Sequence, residues 1–297
     1  MNQILIEALL RVAEFSLIAL GLSLVYGLAK FPNIAHAQYA MVGAYSTYFF
    51  GTIGLPIAVS VVLATVVGGV LAVLMHRLVF GRLLRSGPAI TMVGSLAVSM
   101  LLTAAALGAA GSFPRMLNLA PSESLLIGGA HVSVVQVYCL AITALVLVGF
   151  FWMWTRTKLG RAMRALASNP QLADASGLNA AKIFLLVNLA SGMFAGLGGS
   201  LLALSSGAYV NMGHDLLLPI FAAAILGGLG NPLGAVLGAA LIAVVETLVT
   251  NVDLGWITGT ELTFLPISYL SAVSFSMLLI ALLFKPYGLF DREVRRV

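Results

Sequence analysis

Leu55–Met75 reads LPIAVSVVLATVVGGVLAVLM, a run without a single charge that is followed at once by His76 and Arg77. An α-helix needs about 20 consecutive apolar residues to cross the hydrocarbon core of a bilayer, and this run supplies them. Working outward, similar stretches cover Ala8–Ala29, Ala37–Ile53, Pro88–Ala109, Val132–Trp154, Ile183–Ser206, Leu216–Leu229, Leu233–Val252 and Pro266–Phe284. The pattern predicts an all-α fold: a polytopic transmembrane helix bundle of eight to ten spans, nine as placed here, forming one domain over residues 1–297. The two spans nearest Gly230 are short enough to be re-entrant. Gly and Pro inside such runs are tolerated where neighbouring helices re-satisfy the backbone.

Composition agrees with that reading. Apolar residues make up 61% of the chain and charged residues 8%, against a charged share of about 25% in soluble domains. Such a chain cannot build a water-facing surface, so its surroundings are membrane lipid. The net charge of +5 sits in the connections between spans and not in one patch, which argues against a nucleic-acid partner. The single cysteine, Cys139, lies within an apolar run, and one thiol supplies neither a disulfide framework nor a thiolate metal site. The first residues lack a basic region and include Glu7 and Glu14, so the first span is expected to be retained and not cleaved as a signal.

The basic residues also orient the bundle. Lys30, Arg77, Arg82, Arg85, Arg156, Lys158, Arg161, Arg164, Lys182, Lys285, Arg292, Arg295 and Arg296 all fall on one side of the nine-span arrangement, leaving two of the 15 Lys and Arg elsewhere. The positive-inside rule makes that side cytoplasmic. The expected topology therefore has a periplasmic N-terminus and a cytoplasmic C-terminus, with Glu123, Asp215, Asp253 and Glu261 facing outward.

The longest cytoplasmic connection, residues 156–182, contains GRAMRALASNPQLADASGL. Asn169 suits an N-cap, Pro170 the first helical position, and Gly177 the left-handed position past a helix end; together they bracket a helix of about seven residues, roughly 10 Å long. Upstream, Met163, Leu166 and Ala167 share one face and Arg161 and Arg164 another. A short rod so firmly delimited suits the transmission of force from a partner. A basic, lipid-facing surface loop is the alternative reading on these residues alone.

This loop resembles the coupling loop of ABC importer permeases, whose general pattern is Glu-Ala-Ala followed four residues later by Gly. At the matching positions, Gln171, Leu172, Ala173 and Gly177, only Ala173 and Gly177 agree. The segment is more similar to the "GRAMRA…N…A…GI" run of branched-chain amino acid permeases of the LivH type. Gly160, Arg161, Ala162, Met163, Arg164, Ala165, Asn169, Ala173 and Gly177 fit it, with Leu178 in place of Ile. The opening "ALGL…YG…NFAHG…GAY" of that family is matched by Ala19–Leu22, Tyr26-Gly27, Asn33–Ala37 and Gly43–Tyr45. Ala37 stands where Gly is usual and Gln38 where an acidic residue is usual, so any role of that acid does not carry over. Gly227–Gly238 resembles the family's "GGLG…GAVLG" stretch, and Lys285–Phe290 its closing "RPQGLF".

The resemblance implies an importer permease with no cofactor of its own, ATP and Mg being bound by partners. Those partners would be a second, LivM-like permease subunit, two ABC ATPase subunits and a periplasmic substrate-binding protein. The implied site in the membrane is the bacterial inner membrane, and a homodimer is an alternative assembly. The coupling residues it implies are Gly160, Arg161, Arg164, Asn169, Gln171, Ala173, Asp174 and Gly177. Branched-chain or other hydrophobic amino acids are the implied cargo, with urea, amides and aromatic compounds as alternatives within the same class.

Other residues carry expectations of their own. Between Phe31 and Gln38, Pro32, Asn33, His36 and Gln38 interrupt two apolar runs. They form either a cytoplasmic turn or the inner mouth of a translocation path, since broken backbone at membrane depth must be buried in protein or face water. Glu246 lies inside the eighth span and either bonds between helices or lines the path, and Glu14 is placed near the outer interface. Gly192 with Gly196, and Gly230 with Gly234 and Gly238, recur at four-residue spacing and offer flat faces for close helix packing; a hinge or a subunit seam would use the same residues. Phosphate-loop, HExxH and GxSxG patterns are absent, so the energy for transport must come from elsewhere. Two other classes stay open. A secondary transporter coupled to ions through Glu14 or Glu246 would transport without an ATPase and could carry an inverted repeat, which is not evident in the sequence; a membrane enzyme would have to use the scattered His36, His76, His131 and His214.

Overall fold

The computed structural model describes residues 2–117, 124–127, 129–252, 265–266, 269–285 and 288–289. Glu123, Asp253, Glu261, Pro286, Tyr287, Phe290, Arg292, Arg295 and Arg296, which carried expectations above, lie outside the described residues. The fold is an all-α membrane bundle. Its helices are α1 (Asn2–Ala29), α2 (His36–Thr52), α3 (Ile57–Met75), α4 (Pro88–Ala110), α5 (Val134–Arg156), α6 (Lys158–Ser168), α7 (Pro170–Ala175), α8 (Ala180–Ser206), α9 (Met212–Gly227), α10 (Pro232–Asn251) and α11 (Leu270–Phe284). Counting α3 with its continuation to Ser86, six of them are long and apolar enough to cross a membrane: α1, α3, α4, α5, α8 and α10. Helices α2, α9 and α11 are shorter, at 17, 16 and 15 residues.

Local chemistry fixes the boundaries. Pro88 and Pro232 open α4 and α10 at the first turn, where their missing N–H costs nothing. Ser133 starts α5 with a capping box: its hydroxyl accepts from Val135 N at 3.2 Å while Gln136 Oε1 accepts from Ser133 N at 2.9 Å. Val132, placed in a span from sequence, belongs instead to a short antiparallel pair, β1 (Ser124–Ile127) and β2 (Ala130–Ser133). Strand pairing with Leu125 satisfies backbone that an isolated helix turn would have left open.

The packing shows a repeat with reversed direction. α1 runs antiparallel along α10, Arg11 meeting Glu246 and Gly27 meeting Gly230. α3 runs antiparallel along α8 in the same way, Ala64 and Ala72 meeting Gly196 and Gly192. α1 and α8 are each followed by a short helix that hairpins onto the next: α2 onto α3, and α9 onto α10. The halves α1–α4 and α8–α11 are thus inverted copies, with α5, α6 and α7 between them.

The sequence carries a trace of this. Asn33-Ile34-Ala35-His36 opens α2 and Asn211-Met212-Gly213-His214 opens α9, and in each the His N–H donates to the Asn carbonyl, at 3.2 and 2.9 Å. Pro56 and Pro232 follow at nearly equal distances, immediately before α3 and at the start of α10.

Helices α2 and α9 both begin inside the bundle. His36 Nε2 lies 3.0 Å from the carbonyl of Ile18, eleven residues and so roughly 16 Å back from the end of α1. The connection 30–35 therefore climbs back up the side of α1, with Phe31, Asn33 and Ala35 buried. From the opposite end, residues 207–211 turn inward after α8, pinned by paired backbone bonds between Ala208 and Arg115 at 2.8 and 2.9 Å. The first turn of α9 then meets α2, Gly213 lying against the Gln38 amide.

Candidate coupling elbow and polar interior

Helices α5, α6 and α7 form an elbow at the end of the bundle that carries the basic connections. A Cβ on Gly160 would lie 2.2 Å from Trp154 O, so the chain turns this sharply only with glycine there. Thr157 caps α6, its hydroxyl accepting from Gly160 N at 3.2 Å. Arg164 donates to the same Trp154 carbonyl and lies over the Trp154 ring, 5.6 Å from its centroid. Met163 and Leu166 are buried and hold α6 to the core, while Arg161 is exposed and donates to Arg156 O at 3.4 Å.

Asn169 caps α7, its Oδ1 accepting from Leu172 N at 3.0 Å. At the far end Gly177 has φ of +80°, and Leu178 N donates back to Ala173 O at 3.2 Å, closing the helix as a left-handed C-terminal motif does. Ala173 faces the bundle, 4% exposed, whereas Gln171, Leu172, Asp174 and Ala175 face outward. The leucine was not singled out from sequence. At 65% exposure it is an apolar knob on the rigid tip of the elbow, a position that no periodicity in a six-residue helix reveals.

The proposed path residues fall into two places. Asn33, His36 and Gln38 are packed in the interior where the two halves meet. His36 sits between Ile18 O and Ser191 Oγ, 3.3 Å from its Nδ1, and Gln38 Nε2 donates to Ser99 Oγ at 3.1 Å. Gln38 Oε1 finds no donor among the described residues. His214, the counterpart of His36, is exposed and lies 3.4 Å from Thr103 Oγ1.

Glu246 lies elsewhere, on the wall of a cavity of about 830 Å³ at the end opposite the basic connections. It is 1% exposed. It bonds between helices, to Arg11 Nη1 at 3.0 Å and to Ser274 of α11, and it lines open space. Arg11 is a residue that the sequence does not single out, because nothing local to a lone cation in the first span names its partner. Glu14, 8% exposed, lines the same cavity and accepts from Ser205 Oγ at 3.2 Å.

The glycines sit where helices touch. Gly192 and Gly196 lie on Gly68 of α3, Gly234 and Gly238 on Gly227 and Ala223 of α9, and Gly230, with φ of +88°, on Gly27 of α1.

A membrane bundle of two opposed halves, with short helices whose ends meet in its interior, is built as transporters are. The comparisons carry this class to a family. Residues 4–282 match the family described as branched-chain amino acid transport system / permease component. The chain is 29% identical to the probable branched-chain amino acid transport permease protein LivH of Methanocaldococcus jannaschii, over 92% of this chain and 87% of that one. It is 28% identical to the high-affinity branched-chain amino acid transport system permease protein BraD of Pseudomonas aeruginosa, over 99% and 97%. Among solved structures, PsaBC from Streptococcus pneumoniae in complex with Fab shares the fold, with a TM-score of 0.52 at 13% identity over 94% of this chain and 91% of that one. The chain belongs to the branched-chain amino acid transport permease family, and it is a multi-pass membrane protein.

Proposed function

We propose that this chain is the membrane-spanning permease subunit of an ATP-binding-cassette importer for branched-chain or other hydrophobic amino acids. It works in the cytoplasmic membrane, with the N-terminus periplasmic and the elbow and C-terminus inside. Its partners are a second, similar permease subunit, two ATPase subunits that bind ATP and Mg, and a periplasmic binding protein that delivers cargo.

The observation that carries this reading is the elbow. α7 is capped at both ends, tied to the core through Ala173, and offers an exposed leucine at its tip. Such a rod moves as one body when gripped, and α6 passes the movement to the joint at Trp154. The mechanism follows from two-state physics: closure of the nucleotide-binding partners displaces the elbow and shifts the bundle between outward- and inward-open states. The inverted halves supply the second element, since opposed repeats can rock around the interior where Asn33, His36 and Gln38 meet the start of α9.

The test is reconstitution of the purified complex in vesicles. L-leucine uptake should require ATP in the wild type. Ala173→Asp, which puts a charge on the buried face of α7, and Gly177→Pro, which removes the left-handed turn and its N–H, should each insert normally yet lose most coupled uptake. Wild-type uptake without ATP would favour a secondary transporter, and unchanged ATP-driven uptake in both variants would remove the elbow from the mechanism.

A further inference from the structure

The cavity beside Glu246 is lined by both charged and apolar side chains. Its charged lining is Glu7, Arg11, Glu14, Asp215 and Glu246, and its apolar lining includes Leu10, Phe15, Leu202 and Leu216. At about 830 Å³ it falls within the roughly 300–1,000 Å³ of small-molecule sites. Among the described residues the only ion pair is Arg11 with Glu246. Glu14 stands one turn from Arg11 on the same helix, yet the guanidinium is turned to Glu246. One neutral hydroxyl, that of Ser205, serves Glu14 Oε1.

A carboxyl group withdrawn from water takes up a proton unless an opposite charge or several donors compensate its ionised form. A single hydroxyl does not. The cavity therefore presents one buried acidic group that an arriving cation would hold ionised, beside an arginine that bonds Glu246 through Nη1 and has further guanidinium N–H groups to offer, and against an apolar wall.

We propose that this cavity is a binding site for a zwitterionic amino acid: Glu14 receives the α-ammonium, Arg11 keeps Glu246 through Nη1 and turns its remaining N–H donors to the α-carboxylate, and Leu10, Phe15, Leu202 and Leu216 enclose the aliphatic side chain. The proposal rests on the amino-acid importer reading above and says where this subunit itself holds the cargo. It also gives the subunit a selectivity of its own, since a ligand lacking either head-group charge leaves one of the two residues unanswered.

The test uses the complete permease–ATPase complex in lipid nanodiscs, without the binding protein, and radiolabelled L-leucine displaced by two analogues. Isoamylamine keeps the ammonium and lacks the carboxylate, and 4-methylpentanoate does the reverse. The wild type should bind leucine at least tenfold more tightly than either analogue. In Glu14→Gln, leucine should weaken at least tenfold and lose its advantage over 4-methylpentanoate while keeping its advantage over isoamylamine, a change of preference that a merely structural role would not produce. Ser205→Ala should weaken leucine severalfold in the same sense, and it stands in if Glu14→Gln does not fold. A wild-type complex that transports leucine with ATP but binds none in this assay, or variants that keep the wild-type affinity and preferences, would overturn the site alone. Wild-type vesicles that accumulate no leucine with ATP would overturn the importer reading, and the site with it.

Discussion

Replacing Gly199 by valine is expected to reduce the folded yield of the protein more than tenfold. A Cβ at that position would lie 1.9 Å from the carbonyl oxygen of Ala40 and 2.5 Å from its carbon, and both belong to backbone that no rotamer change moves aside. The same seam is closed one turn away by Gly43 against Gly196, at 2.3 Å from its carbonyl. Helices in lipid gain little from hydrophobic burial against each other and depend on close backbone approach, so separating α2 from α8 forfeits packing along the whole contact. Overpacking of this kind costs about 1–3 kcal/mol and more where backbone is the obstacle. Gly149 provides the control: a Cβ there meets nothing within 4 Å, and Gly149→Ala should be neutral or slightly stabilising because alanine favours the helix. Thermal melting in detergent, read by size-exclusion chromatography, compares the two. A Gly199→Ala protein as stable as Gly149→Ala would mean that the α2–α8 seam is not as close as described.

The second large effect is expected at Arg11. Arg11→Ala leaves Glu246, 1% exposed, with only the Ser274 hydroxyl, and breaking a buried pair in this way costs about 3–5 kcal/mol. The reverse change should be milder. In Glu246→Gln the arginine, 31% exposed, still reaches the cavity and any water there. The double variant Arg11→Ala with Glu246→Gln should recover much of the loss, because no uncompensated charge remains. Melting temperatures of the four proteins form a double-mutant cycle. Equal penalties for the two single changes would show that the pair is not buried asymmetrically.

Much of the bundle was legible in the sequence because lipid imposes a simple rule on helices. A run such as Leu55–Met75 has one stable solution, and Pro88, Pro232 and the capping residues mark where it starts. The elbow was legible for a related reason: Asn169, Pro170 and Gly177 each act on their own backbone within a few residues. What stayed hidden depends on distance in space. Arg11 and Glu246 lie in the first and eighth spans, and nothing local to either names the other. The segment 30–35 reads equally as a surface turn or as chain inside the bundle, since its composition is the same in either place; only the contact of His36 with Ile18 decides. The inverted repeat left Asn-x-x-His and a later proline in each half, a signal too sparse to stand out until the packing of α1 on α10 and of α3 on α8 paired the halves. Leu172 was hidden for the opposite reason. In α7 every residue is within one and a half turns of every other, so sequence does not say which side faces the core.

The importer mechanism depends most on α7 being the part gripped by a nucleotide-hydrolysing partner inside the cell. A photo-crosslinking amino acid placed at Leu172 in the intact, co-expressed complex addresses that directly. The predicted result is an ultraviolet-dependent adduct with the ATPase subunit whose yield changes when a non-hydrolysable ATP analogue is added. An adduct with the periplasmic binding protein in its place, or none with the ATPase in a complex that still transports, would contradict it.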